Sequence, residues 1–289
     1  MPVILGEASV LTTPLSLVRI WALVSGCLTF SLVASLGHPQ LAGSEESLRQ
    51  TLRAFCMFTW CFFFILTLII ILVEFIQFQS LLPISWKNLP ITVAALGALM
   101  YLSTSVSFPW TVMTTNVEPK AIAATVSSCL TFLAYASETY LIRLQGREQR
   151  GYMASAPGLL KIFQVFGGCL MLVLVSKNYR SDDPQAWLFW LKLSIYVLCF
   201  LMSLGTVVVM LGDCASRCPL PFDRLLAGFS HLGVLLYMVV TVICFTNILT
   251  IQAKNDSSKL VIESVITCLT LLAYTVDLAF SIKLLCDRG

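Results

Sequence analysis

The sequence predicts an all-α, polytopic membrane protein whose eight transmembrane helices form two tandem four-helix units. Three observations predict it. Of the 289 residues, 58% are hydrophobic and 11% charged, with a mean hydropathy of +0.88, which leaves too little charged surface to coat a soluble globule of this size. Apolar runs recur from residue 16 almost to the C-terminus, each near the roughly 20 helical residues needed to cross about 30 Å of hydrocarbon. Finally, the runs repeat their own order halfway along the chain.

The first span, 16–36, follows MPVILGEASVLTTP, which has no Lys or Arg before Arg19. A cleavable secretory signal needs a basic n-region, so this span is expected to stay as a signal anchor. GHPQLAGSEESLRQ leads to the second span, 54–76, and LLPISWKN to the third, 89–110. The fourth, 119–142, is separated from the fifth, 159–176, by RLQGREQRGYMASAPG. RSDDPQ precedes the sixth, 189–211, and the seventh and eighth run over 225–249 and 260–283. The connectors carry Gly, Pro, Ser and charge as punctuation, and none is long enough to make a folded soluble domain. Trp86, Trp110, Trp187 and Trp190 fall at span ends, where an amphipathic ring favours the headgroup layer.

VSSCLTFLAYASE (126–138) returns as VITCLTLLAYTVD (265–277), and LVRIWALVSGCLTFSLV (17–33) aligns with LLKIFQVFGGCLMLVLV (159–175). PISWKNL (83–89) likewise echoes PLPFDRL (219–225), with Leu99 and Tyr101 set against Leu235 and Tyr237. Span one therefore answers to span five and span four to span eight. The expected division is an N-terminal tail (1–14), a first unit (15–145), a cytoplasmic linker (146–156) and a second unit (157–289). An even number of helices per unit makes the repeats parallel, unlike the inverted halves of many transporters.

Loop charge orients the chain weakly. With the N-terminus inside, ten Lys and Arg fall inside, Arg19 and Lys161 among them, and eight outside, including Lys192. The basic connector from Arg143 to Lys161 favours both termini being cytoplasmic.

Ionisable groups within spans are costly in lipid and point to function. Here they are Glu74, Glu138 and Asp277, with Asp213 and Glu263 nearer span ends. Glu138 and Asp277 occupy matching places in the two repeats, and so do Arg19 and Lys161. The first and fourth helices of a four-helix bundle can be neighbours, so Arg19 is expected to pair with Glu138, and Lys161 with Asp277. A structural tie or a snorkelling side chain is favoured over a proton or ion relay.

Eight of the eleven cysteines lie within spans, where a thiol packs as a small hydrophobe. Cys214 and Cys218, in LGDCASRCPLPF, and Cys286 lie at the expected inner ends of spans six and eight, as candidate S-palmitoylation sites. Zinc is disfavoured, because no second ligand pair follows and the nearest His, His231, lies inside span seven. An unmodified thiol stays open as an alternative. His38 and His231 lack catalytic company. Ser25, Gly26, Gly167 and Gly168 read as close-packing residues, and Asn255-Asp256-Ser257 is a glycosylation sequon. A net charge of +3 with no basic run interleaved with aromatics excludes nucleic-acid binding.

MFTWCFFFILTLIIILVE (57–74), ISWKNLPIT (84–92), AIAAT (121–125), AYASE (134–138) and GYMASAPGLLKI (151–162) resemble, in order and spacing, the myeloid-associated differentiation marker family, whose members carry two four-helix MARVEL domains. The resemblance covers nearly the whole chain. It implies a non-enzymatic, multi-pass plasma-membrane protein that organises cholesterol-rich, ordered regions at cortical, junctional or trafficking sites. It implies no catalytic residues and no cofactor. Its partners would be membrane lipid, cholesterol included, and membrane or cortical proteins, with a homo-oligomer compatible. YLIRL (140–144) superficially matches short cholesterol patterns, which weigh little. The alternative, a small-solute or ion channel or transporter, would need polar residues converging at the midplane. An intramembrane enzyme finds no support, since no Ser/His/Asp, HExxH or paired-Asp arrangement lies at useful depth.

Overall fold

The computed structural model describes residues 12–36, 44–77, 84–112, 118–145, 151–175, 186–212, 222–251 and 257–287. Among them lie eight long helices: α1 (Pro14–Ala34), α2 (Ser44–Ile76), α3 (Leu89–Val112), α4 (Pro119–Leu144), α5 (Ala156–Val175), α6 (Ala186–Leu211), α7 (Phe222–Ile251) and α8 (Ser257–Asp287). All eight are long and apolar enough to cross a membrane, so the chain is an all-α, multi-pass membrane protein. Helix α2 starts ten residues before the apolar run that marked its span. SEESLRQTLR is rich in good helix formers, and its charge hid it from a hydropathy reading.

The chain divides into a unit spanning 1–154 and a second spanning 155–289. In the first, α1 packs on α2 and α4, and α3 on α2 and α4. In the second, α5 packs on α6 and α8, and α7 on α6 and α8. Each unit is thus a ring of four helices in which the first closes against the last. A short 3₁₀ turn, Tyr152–Ala154, belongs to the first unit, where the Met153 backbone N–H donates to Asn88 Oδ1 at 3.1 Å. That bond pins part of the segment expected to be a linker to the start of α3.

Local chemistry sets the helix ends. Thr13 caps α1, its hydroxyl accepting from the Ser16 N–H at 3.2 Å, with Pro14 opening the first turn. At the other end Arg53 Nη2, from α2, donates to the Leu36 carbonyl at 2.9 Å, placing a cation at the negative pole of the α1 dipole. Such contacts contribute about 0.3–1 kcal/mol. Arg53→Met is therefore expected to lower the melting temperature of the detergent-solubilised protein by roughly 1–3 °C. A thermal scan showing no change would remove the cap from the stabilising interactions.

The two rings share an inverted polarity. On α8, Glu263, Thr267, Thr270, Tyr274, Asp277 and Ser281 are all buried, whereas Val261, Val265, Leu269, Leu272 and Ile282 are exposed. Steps of four and three residues place the first set on one helix face. Helix α4 repeats the arrangement, burying Ser128, Thr131, Tyr135 and Glu138 while exposing Ile122, Val126, Leu130 and Leu133. Between helices in lipid there is no hydrophobic drive, so association rests on close packing and interhelical hydrogen bonds. The core supplies both.

A tyrosine motif at the heart of each ring fixes the register of the repeat. Tyr135 Oη lies 2.6 Å from Thr67 Oγ1 and donates to the Phe63 carbonyl at 3.2 Å. Tyr274 Oη lies 2.6 Å from Ser203 Oγ and donates to the Cys199 carbonyl at 3.2 Å. The ring of each tyrosine packs at a tilt against a second one, Tyr101 at 5.4 Å and Tyr237 at 5.2 Å between centroids. Gly97 and Gly233 make room for these rings on α3 and α7. The small residues expected to allow close packing do so: Gly26 faces the Tyr101 hydroxyl, Gly167 faces Thr270, and Gly168 faces Phe200.

Candidate functional site

Every intramembrane acid described in the structure is paired. In the first unit Arg19 Nε, on α1, donates to Glu138 Oε1 of α4 at 2.5 Å, and its Nη1 donates to Glu74 Oε1 near the end of α2. Arg19 and Glu138 are buried, and Glu74 is 19% exposed. A guanidinium presents several donors in a fixed fork and can hold two carboxylates at once.

The second unit places Lys161 Nζ, on α5, 2.5 Å from Asp277 Oδ2 on α8. The same carboxylate oxygen accepts from Ser230 Oγ at 2.5 Å and from Gln164 Nε2 at 3.1 Å. Lys161 also donates to Ser230 Oγ at 2.9 Å. An ammonium is a point charge, so one acid and a hydroxyl complete its shell where the first unit uses two acids, and the Gln164 amide braces the acid. Asp277 Oδ1 is left with no hydrogen-bond partner in the protein.

The second unit carries a further pair. Lys192 Nζ, on α6, donates to Glu263 Oε1 of α8 at 2.7 Å, and Cys244 Sγ approaches the same oxygen at 3.6 Å. Tyr196 Oη adjoins this pair, 3.0 Å from Thr267 Oγ1.

Arg19 meets Glu138 and Lys161 meets Asp277, as the repeat suggested, but three features escaped the sequence. Glu74 joins Arg19; the repeat concealed this, because Met210 stands at the corresponding place in the second unit. Lys192, counted with the outer connector, is instead buried against Glu263, with a side chain only 10% exposed. Arg19 and Lys161 are likewise buried at 2% exposure rather than snorkelling. With these three removed, the cations available to orient the chain fall to eight against seven.

Of the acylation candidates, Cys286 is exposed in the last turn of α8. Cys214 and Cys218 lie outside the described residues, as do Asp213, His38 and the sequon's Asn255. His231 is exposed on α7. The described cysteines are free thiols, and no group of three or more metal-ligating side chains occurs among the described residues. The arrangement holds paired charge inside each bundle.

The MARVEL family, described as a membrane-associating domain, matches residues 10–141. The chain is 35% identical to the rat protein called myeloid-associated differentiation marker, over 96% of this chain and 92% of that one. It is 34% identical to the Xenopus laevis homolog, covering 98% and 96%. Mouse myeloid-associated differentiation marker-like protein 2 is 32% identical, over 93% and 91%. No solved structure matches the chain significantly.

Proposed function

We propose, for a chain that belongs to the myeloid-associated differentiation marker family of MARVEL-domain membrane proteins, a non-enzymatic role: organising ordered, cholesterol-rich regions of the plasma membrane. One observation carries the reading. The charged pairs and most polar groups are withdrawn into each bundle, and the faces turned outward are mainly aliphatic and aromatic, Trp21, Trp110, Trp187 and Trp190 among them. Such a protein meets its surroundings chiefly through lipid. Its preference for one bilayer over another then follows from how span length, ring anchors and attached chains match bilayer thickness.

Both termini are placed in the cytoplasm on this reading, with the basic connector Arg143, Arg147 and Arg150 on the same side. Cys286, exposed in the last turn of α8, and Cys214 and Cys218, which follow α6 in the sequence, are then acylation sites on the cytoplasmic side. Saturated chains there favour ordered lipid. The partners are lipid, cholesterol included, and membrane or cortical proteins, with self-association as one route to larger domains.

A tagged copy in cell-derived plasma-membrane vesicles tests the reading. Wild type is expected to enrich in the ordered phase, and Cys214→Ser/Cys218→Ser/Cys286→Ser to lose most of that enrichment. Exclusion of wild type from the ordered phase would overturn the organising role. Retention by the triple variant would move the preference from acylation to the helix surface.

A further inference from the structure

The second unit differs from the first in one respect that membrane organisation does not use: ionisable pairs stand toward both ends of its interior. Glu263 and Asp277 lie on the same buried face of α8, about 21 Å apart at 1.5 Å per residue. Between them the interior is lined with groups able to pass a proton. From one end, Lys192 meets Glu263, Cys244 approaches Glu263, and Tyr196 meets Thr267. From the other, Lys161, Ser230 and Gln164 converge on Asp277, and Ser203 donates to Gln164 Oε1 at 3.4 Å while lying 2.6 Å from Tyr274 Oη.

Between the two stretches lie tyrosine rings packed at tilted angles, in a core that also holds Met171, Ile195 and Val240. The Tyr237 ring lies 5.9 Å from that of Tyr196 and 5.2 Å from that of Tyr274. Its hydroxyl is buried with no partner in the protein, and so are Glu263 Oε2 and Asp277 Oδ1. Buried polar atoms are bonded to protein or to ordered water in nearly every case. These three orphans stand at one end, in the middle and at the other end of the file.

The first unit serves as an internal comparison. Where the second has Lys192, Glu263, Tyr196 and Cys244, the register of the tyrosine motif places Cys56, Ala124, Trp60 and Phe108. Trp60 and Phe108 meet edge to face at 5.3 Å, so aromatic rings fill that end without an ionisable pair, although the Thr59 hydroxyl and the Trp60 indole N–H there are also unpartnered. Its Tyr101 hydroxyl is also unpartnered, but the polar file around it leads to one charged end alone.

We propose that the second unit carries protons across the membrane along this file, between the Lys192–Glu263 pair and the Lys161–Asp277 pair. A proton arriving at one face adds to a carboxylate oxygen, forming an O–H bond. It is passed through hydroxyls and waters, each taking one proton on its oxygen as it releases another. The second carboxylate receives it and gives it up to water at the opposite face. One proton enters and one leaves, with no redox step.

The test uses the purified full chain in liposomes containing a pH-sensitive dye, with a membrane potential set by a potassium gradient and valinomycin. Wild type is expected to change the internal pH at least tenfold faster than protein-free vesicles. Tyr237→Phe, which keeps the ring packing and removes only the unpartnered hydroxyl, is expected to cut that rate at least fivefold. Tyr101→Phe in the first unit should leave it unchanged. Glu263→Gln should abolish flux, with a monodisperse elution profile checking that the variant is folded. Wild-type flux no greater than that of protein-free vesicles overturns the proposal, and so does a Tyr237→Phe protein as fast as wild type.

Discussion

Reversing the charge of residue 19 is expected to eliminate monodisperse protein, and reversing residue 138 with it to bring most of it back. Arg19→Glu would set three carboxylates where one guanidinium now serves two, with Glu138 almost wholly buried. Removing one member of a buried pair costs about 3–5 kcal/mol by leaving the other uncompensated, and a like charge adds repulsion. That is a large part of the 5–15 kcal/mol typical of a folded protein. In Arg19→Glu/Glu138→Arg the new guanidinium again faces two acids. Size-exclusion elution of a fluorescent fusion reads both variants, and failure of the double variant to recover would remove the pairing from the forces that close α1 against α4. Glu138→Gln should be milder than Asp277→Asn. Glu74 still neutralises Arg19 in the first case, whereas Lys161 in the second keeps only the Ser230 hydroxyl among its observed contacts.

Gly233→Ala is the second large effect, a destabilisation of about 3 kcal/mol, at the upper end for overpacking a core. A methyl group on Gly233 would enter the Tyr274 ring. The hydroxyl of that ring is tied to Ser203 and the Cys199 carbonyl, which resists its swinging away. The matched substitution, Gly97→Ala, meets Phe63 and Tyr135 ring atoms at 3.2–3.3 Å, a separation that shifts of a few tenths of an ångström relieve. It should cost about 1 kcal/mol or less. Gly205, with nothing within 4 Å of an added methyl, is the control, and Ala there should be neutral or slightly stabilising. Thermal scans of the three variants rank them, and a Gly233→Ala protein no weaker than Gly97→Ala would contradict the account of the tyrosine layer.

Composition and run length made the eight spans legible, because the cost of exposing polar backbone and side chains to hydrocarbon leaves few alternatives to long apolar helices. The repeat carried the pairing logic further. Arg19, Lys161, Glu138 and Asp277 keep their places in both halves, so one reading located two ion pairs. The same logic could not reach Glu74, Lys192 or Glu263, because their counterparts Met210, Cys56 and Ala124 carry no charge. Lys192 also lies near the start of α6, where a hydropathy reading takes a lysine for part of the loop. The buried stripe on α8 was hidden for a related reason. Averaging along a span measures how apolar a helix is and discards which face holds the polar residues.

The different shells around Arg19 and Lys161 set different schedules for a chain threaded into the membrane as it is made. Arg19 finds its first acid on the very next helix, 55 residues along. Lys161 waits for Ser230 on α7 and for Asp277 on α8. At ribosomal rates that leaves an ammonium in the bilayer on the order of ten seconds without its carboxylate. The first bundle can be neutralised while it is still half built. The second cannot, and truncation or delay at α8 would present quality-control machinery with an unpaired charge inside the membrane.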